Sequence, residues 1–178
     1  MAEDTPTGGN GQTAAPQRAA QQQQPQNLGV LAQYVKDLSF ENPAAPQSLR
    51  GRSGNPNIAI TINVQPGAVS GDEVEVELKL DVKATSGEEL LFAIELVYAG
   101  LFRLTNIPAD AVQPIIRIEC PRLLFPFARQ IIADASRNGG FPPLLIDPID
   151  FVGLYRQRMM EAQAATQQAG GGGGPAVA

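Results

Sequence analysis

The ionisable side chains of this 178-residue sequence offer little for catalysis. Histidine, the most common general base and metal ligand, is absent. The one cysteine, Cys120, can form neither an internal disulfide nor a cysteine zinc cluster, and amine chemistry is limited to Lys36, Lys79 and Lys83. We therefore expect a protein that is not an enzyme and that holds neither a metal nor a cofactor.

The remaining charges are unevenly distributed along the chain. Residues 27–110 contain 6 basic and 11 acidic side chains, whereas residues 111–161 contain 6 basic and 5 acidic ones. An acidic first half disfavours binding to nucleic acid and favours docking on a basic protein surface. No apolar run is long enough to cross a bilayer, no secretory signal opens the sequence, and a single cysteine fits a reducing compartment. We expect a cytoplasmic protein that does not insert into membranes.

Alternating residues predict the first two strands, and a long connection separates them. In the segment "YVKDLSF", Tyr34, Leu38 and Phe40 are expected on one side of a strand, opposite the polar residues. Residues 57–64 alternate isoleucine and valine with smaller or polar side chains. Residues 41–56, between them, are rich in proline, glycine and serine, and a loop of this length is uncommon unless it is functional.

Two further strands follow with different patterns. Residues 72–84, "DEVEVELKLDVKA", place aliphatic side chains on one face and charged ones on the other, as in an antiparallel sheet with one solvated face. Residues 90–102 are apolar on both faces apart from Glu95. We expect this fourth strand to be covered on both sides.

Beyond the strands the apolar residues recur at helical spacing. Residues 120–140 predict an amphipathic helix that ends at a Gly-Gly pair. An extended apolar segment, "FPPLLI", precedes a second helix, for which Asp147 is the expected N-cap and Pro148 the first helical residue. Four strands followed by two helices predict an α+β fold, with a four-stranded antiparallel sheet and both helices on one face.

One domain, residues 27–161, is expected between two disordered tails. Residues 1–26 are rich in glutamine and residues 162–178 in glycine and alanine, with too few large apolar side chains to offset the entropy of ordering them. The domain itself has more apolar surface than one sheet and two helices can bury. This surplus predicts a second subunit, a bound ligand or a bound polypeptide.

Three blocks of the sequence resemble the SecB family of bacterial protein-export chaperones: "KDLSFENP", "GEELLFAIELVYAGLFRL" and "CPRLLFPFARQIIADASRNGGFPPLLIDPIDFVGLY". The resemblance spans about residues 34–155. It implies a homotetramer, a dimer of dimers with long helices between two outer sheets. It also implies an ATP-independent holdase that keeps preproteins unfolded and delivers them to SecA, the motor of the Sec translocase.

The resemblance further implies two sites. The family's SecA contact is the acidic outer face of the sheet, which corresponds here to Asp37, Glu41 and Glu95. Its client groove corresponds to apolar residues of the second strand and of the helix connection, namely Ile58, Ile60, Ile62, Phe141 and Leu144. Two other functions remain open: an oligomeric carrier of a small apolar ligand, and a SecB-like chaperone dedicated to one partner such as an antitoxin.

Overall fold

Four strands build the first part of the domain in the computed structural model, which describes residues 27–50 and 55–170. The strands form one antiparallel sheet in the order β1-β4-β3-β2, so that β1 and β2 are its edges. Their bounds are β1 Asn27–Glu41, β2 Asn57–Ser70, β3 Glu73–Ser86 and β4 Glu89–Thr105. The four-stranded antiparallel sheet predicted from the sequence is confirmed.

The alternation in β3 sets the two faces of the sheet. Its aliphatic side chains, from Val74 to Val82, are at most 2% exposed, and the charged residues between them lie on the opposite face. Two-residue turns join β3 to its neighbours, and Gly71 and Gly87 adopt positive φ angles of 64° and 60° there. Glycine takes this conformation without the steric strain of a Cβ atom.

A bulge in β1 corrects the face predicted for Tyr34. The register shifts between Val35, which pairs with Tyr98, and Asp37, which pairs with Val97. This extra residue leaves Leu38 and Phe40 on the face toward the helices but places Tyr34 on the outer face. The Tyr34 hydroxyl donates a hydrogen bond to Glu75 on that outer face, so the prediction that Tyr34 lies beside Leu38 and Phe40 is wrong.

The first helical region begins well before the predicted residue 120. Helix α1, Ala109–Pro114, continues through a π-helical turn, Ile115–Glu119, into α2, Cys120–Asn138. The wider π turn shifts the phase of the helix, so the apolar residues before and after it do not form one periodic pattern. It lies directly before Pro121, whose ring has no N–H for a regular α-helical bond. Pro126 lies on the exposed face of α2, where water can reach the carbonyl that it leaves unbonded.

The second predicted helix starts later than expected. Helix α3 spans Phe151–Gly170, and the side chain of Asp150, not Asp147, accepts the capping hydrogen bond, from the Gly153 amide at 3.0 Å. Residues 142–150 form neither helix nor strand, and Ile146, 7% exposed, is buried in the core, which overrides the local preference for a helix at Pro148. The helix also continues past residue 161, through alanine and glutamine residues that favour helix. Of the two tails predicted at residues 1–26 and 162–178, residues 1–26 and 171–178 lie outside the described residues.

Helix α2 covers the inner face of the sheet. Leu124, Ala128 and Ile132 recur every four residues along it and are fully buried. It packs tightly over Gly100 of β4, where an added Cβ would lie 2.8 Å from Leu124 Cδ2. The missing side chain therefore lets the helix pack directly on the strand backbone.

Candidate functional site

Three exposed carboxylates lie together on the outer face of the sheet, as the sequence predicts. Glu95 on β4 pairs with Ser39 of β1, directly between Asp37 and Glu41 on the same strand. Residues that face each other across an antiparallel pair point to the same side, and so do residues two apart in one strand. The structure thus brings Asp37, Glu41 and Glu95 onto one surface, which we name the acidic face.

Most other charges on this side of the sheet are paired. Lys36 contacts Glu75 at 3.0 Å and also contacts Glu77, while Lys79 contacts Asp81 at 3.7 Å. At the far end Arg103 contacts Glu73. In contrast, none of the three carboxylates of the acidic face forms a salt bridge to any residue in the described ranges. Their negative charge is therefore available to a basic partner, although Lys83 is exposed on the same side of the sheet.

A hydrogen-bonded group on β1 and β3 spans the neighbouring part of the outer face. Tyr34 and Lys36 extend from β1 across β4 to Glu75 and Glu77 of β3. Ala99 of β4 pairs with both Tyr34 and Glu77 and is fully buried beneath them. The Tyr34 hydrogen bond, followed by that of Lys36, lowers the pKa of Glu75. The same contacts raise the pKa of Lys36, chiefly through Glu77, and that of Tyr34, chiefly through Glu75.

The expected client groove is built on an aromatic stack at one end of the sheet. Phe141 lies with its ring centroid 4.6 Å from that of Phe92, which in turn lies 5.9 Å from Phe40. Ile58 of β2 pairs with Ala84, and Ala84 pairs with Phe92, so all three point to the inner face. An apolar row therefore runs from the β2 edge to Phe141.

The other predicted groove residues lie on β2 and in the segment that follows α2. Ile60 and Ile62 pair with Val82 and Leu80 and share the inner face of β2, where Ile60 is 36% exposed. Leu144 is anchored because its amide donates to the buried Ser136 hydroxyl at 2.8 Å. Phe141, Leu144, Ile58 and Ile62 are partly buried against one hydrophobic core.

The structure adds residues that sequence reasoning missed. An added Cβ on Gly139 would clash with the Phe40 ring, and one on Gly140, which has a φ of 88°, would lie 3.0 Å from Leu49 Cδ2. The Gly-Gly pair therefore lets Phe40 and the long connection approach the end of α2. Leu49, 46% exposed, follows Ser48, which is held by a 2.6 Å hydrogen bond to Asn42. The Gly-Gly pair is the signal that could have pointed to these close contacts.

Among the described residues, the structure shows neither a reactive thiolate nor a cluster of metal ligands. Burial, followed by the charge of Glu119, raises the pKa of the fully buried Cys120 thiol to about 12, so the reactive thiolate does not form near neutral pH. Residues 27–50 and 55–170 contain no cluster of three or more potential metal ligands. Within these ranges, no helix has the length and apolarity needed to span a membrane.

A second apolar surface lies on the other edge of the sheet. We name it the β1–α2 patch, and its members are 42% to 52% exposed: Val30, Val35, Leu38, Leu123 and Phe127. The β1 and α2 members meet where Val35 pairs with Tyr98, on which the Phe127 ring stacks at 6.4 Å. A contiguous exposed apolar surface of this kind is typical of protein interfaces.

The fold and these surfaces define an α+β protein whose acidic and apolar surfaces remain open to partners. The family model described as "Preprotein translocase subunit SecB" matches residues 20–162. The chain belongs to the SecB family, which agrees with the expected chaperone class.

Relatives named "Protein-export protein SecB" cover nearly the whole chain. That of Afipia carboxidovorans is 56% identical over 156 residues, covering 88% of this chain and 94% of the relative. That of Mesorhizobium japonicum is 54% identical over 168 residues, covering 93% and 95%. Among solved structures, the SecB-like chaperone of Mycobacterium tuberculosis in complex with an antitoxin peptide aligns with a TM-score of 0.53 at 11% identity, over 69% of this chain and 91% of that one. This last likeness supports the fold alone.

Proposed function

We propose that the protein is an ATP-independent holdase of the cytoplasm that keeps preproteins unfolded and delivers them to SecA. The observation that carries this proposal is a set of partly exposed apolar residues around one core: Ile58, Ile60 and Ile62 on the edge strand β2, and Phe141 and Leu144 in the segment after α2. The relatives named as export proteins favour this role over a small-ligand carrier or a chaperone dedicated to one antitoxin.

Binding in this groove follows from the burial of apolar surface. An unfolded client gains about 25 cal/mol for each Å² of apolar surface that it buries, before the cost of ordering both partners is subtracted. Because this driving force is non-directional, many client sequences are accepted, and release needs no nucleotide chemistry in the chaperone itself.

Two further parts of the proposal use the other surfaces. The three unpaired carboxylates of the acidic face, Asp37, Glu41 and Glu95, form the contact for a basic surface of SecA. The β1–α2 patch forms a subunit contact in a homotetramer, a dimer of dimers with long helices between two outer sheets.

An aggregation assay with an unfolded preprotein and no ATP tests the holdase function. The parent chain should suppress light scattering, and Phe141→Asp should reduce the protection at least about 5-fold, because a buried charge opposes apolar binding. Leu145→Asp is the matched control, since Leu145 is 72% exposed beside the groove. Ile60→Asp provides a second test at the β2 edge.

Absence of protection by the parent chain contradicts the holdase function. Full protection by both Phe141→Asp and Ile60→Asp contradicts the position of the groove.

A further inference from the structure

Two neighbouring cavities lie where the π-helical turn packs against α3 and β2. Three polar side chains line both cavities: Arg117, Tyr155 and Arg158. The other lining residues are apolar apart from one glutamine: Val64, Leu154, Gln113, Met159 and Ala162. We name the two cavities together the arginine cleft. The larger one has a volume of about 310 Å³ and therefore has room for a small ligand.

The two arginines of the cleft are held side by side on the edge strand. Arg117 Nη1 lies 3.5 Å from the Val64 carbonyl oxygen, and Arg158 Nη2 lies 3.5 Å from the Ile62 carbonyl oxygen. Residues two apart in a strand direct their carbonyl groups to the same edge, so these two acceptors are about 7 Å apart. The guanidinium groups therefore approach the same short stretch of β2 from two different helical elements.

Neither arginine is neutralised by the described part of the chain. Arg117 and Arg158 have no carboxylate within salt-bridge distance among residues 27–50 and 55–170. Glu161, three residues after Arg158 on α3, instead accepts a hydrogen bond from Gln157 at 2.9 Å. Neither cavity is lined by an aspartate or glutamate of the described ranges. The positive charge of the cleft is thus open to an anion from outside.

The donors of the cleft suit a phosphate group. Two neighbouring cations repel each other, and an anion between them removes this repulsion. A guanidinium binds an oxyanion through two parallel hydrogen bonds, so one arginine already satisfies both oxygens of a carboxylate, whereas a phosphate has oxygens for two arginines at once. The Tyr155 hydroxyl, which has no hydrogen-bond partner among the described residues, can donate a further bond.

We propose that the arginine cleft binds the phosphate or diphosphate group of a ligand, with Arg117 and Arg158 as its two charged contacts. The apolar walls formed by Leu154 and Met159 favour a ligand that carries an apolar group next to the phosphate. Such a group occurs both in soluble phosphorylated molecules and in lipid headgroups. The site requires neither a client nor SecA, so it goes beyond the proposed function and does not depend on it.

Isothermal titration calorimetry of the full-length chain with pyrophosphate at low salt tests the site. The chain has a net charge of −5, so its overall charge repels anions and binding has to come from a local site. We expect one pyrophosphate to bind per chain. Added sodium chloride should weaken this binding, because the arginines are accessible to water and their charge is screened.

Substitutions locate the anion. Arg117→Gln and Arg158→Gln should each weaken pyrophosphate binding about 3- to 10-fold, since each removes one charged contact at a partly exposed site. Arg117→Lys keeps the charge but not the paired donors, so its loss should be smaller. Arg156→Gln is the matched control, because Arg156 is exposed on α3, two residues from Arg158, and lines neither cavity. It should leave the affinity unchanged.

Vesicle sedimentation distinguishes the two sources of the phosphate group. Binding to vesicles that contain phosphatidic acid, but not to vesicles of phosphatidylcholine alone, would assign a lipid headgroup if Arg158→Gln abolishes it. Binding of pyrophosphate without binding to either kind of vesicle would assign a soluble phosphorylated ligand.

Two results would overturn the site. One is a parent chain that binds neither pyrophosphate nor phosphatidic acid vesicles. The other is pyrophosphate binding that is unchanged in both Arg117→Gln and Arg158→Gln, because the anion would then lie elsewhere. Both results would leave the holdase function standing, since the aggregation assay uses neither ligand.

Discussion

Individual charged residues divide the outer face of the sheet into a paired and an unpaired part. Lys36, Lys79 and Arg103 pair with carboxylates of β3, while Asp37, Glu41 and Glu95 have no salt-bridge partner among residues 27–50 and 55–170. Repulsion among three nearby carboxylates is tolerated because all three are exposed to water. A partner that supplies cations removes this repulsion and adds attraction.

Charge reversal at Glu95 tests the acidic face. Glu95→Lys should weaken SecA binding about 3- to 10-fold and reduce its salt dependence, because Glu95 lies between the other two carboxylates. Client protection in the aggregation assay should be unchanged, since Glu95 lies on the face opposite the groove. Asp110→Lys makes the same change in charge at an exposed position of α1, outside the acidic face. Titration of SecA decides the assignment, and an affinity unaffected by Glu95→Lys contradicts it.

The strands show which features a sequence pattern can predict. In β3 the side chains alternate strictly between the two faces, so the alternation from Val74 to Val82 correctly predicted which residues face inward. In β1 one bulged residue reverses the relation between Tyr34 and Leu38, and no feature of the "YVKDLSF" segment marks the bulge. The predicted faces therefore hold only up to the first register shift.

The start of α3 and the packing of Phe141 both depend on contacts that a local sequence pattern does not contain. Asp147-Pro148 satisfies the local rule for a helix start, but burial of Ile146 delays the helix to Phe151. Family resemblance placed Phe141 in the groove, whereas its stacking partner Phe92 comes from a distant strand. Long-range packing of this kind is not encoded in a local pattern.

The hydrogen bonds from Tyr34 and Lys36 to Glu75, which connect β1 to β3, should stabilise the fold to an extent that depends on pH. Because the folded-state pKa of Glu75 is lowered, its ionised form stabilises the folded chain above the unfolded-state pKa, and this contribution is lost as the pH falls through the folded value. Glu75→Gln should therefore lower the thermal midpoint at pH 7, and the difference from the parent should shrink as the pH falls below about 4.

Thermal melts followed by circular dichroism from pH 7 to acidic pH measure this effect. Glu88→Gln, at an exposed turn, is the control and should follow the parent at every pH. A difference between Glu75→Gln and the parent that stays constant into acid would show that the ionised carboxylate is not what holds β1 to β3.

In the whole molecule, the two edges of the sheet carry different surfaces. The β2 edge borders the proposed groove, while the β1 edge carries the β1–α2 patch. An apolar edge strand left uncovered would invite aggregation. A second subunit on the β1 side would cover it and leave the groove on the β2 side accessible to clients.

Breaking the β1–α2 patch should dissociate the assembly. Phe127, 52% exposed and stacked on Tyr98, is the largest side chain of the patch, so Phe127→Glu should weaken subunit association at least about 30-fold through loss of a buried aromatic anchor. Met160→Glu, at a residue 64% exposed on α3, is the control for adding one charge to an exposed apolar position.

Sedimentation equilibrium should give a tetramer mass for the parent and control, and a smaller mass for Phe127→Glu. Because Phe127 is exposed in the single chain, the variant should keep its helical circular dichroism signal, so that a lower mass reports assembly and not unfolding. A Phe127→Glu variant with the parent mass would assign the subunit contact to another surface.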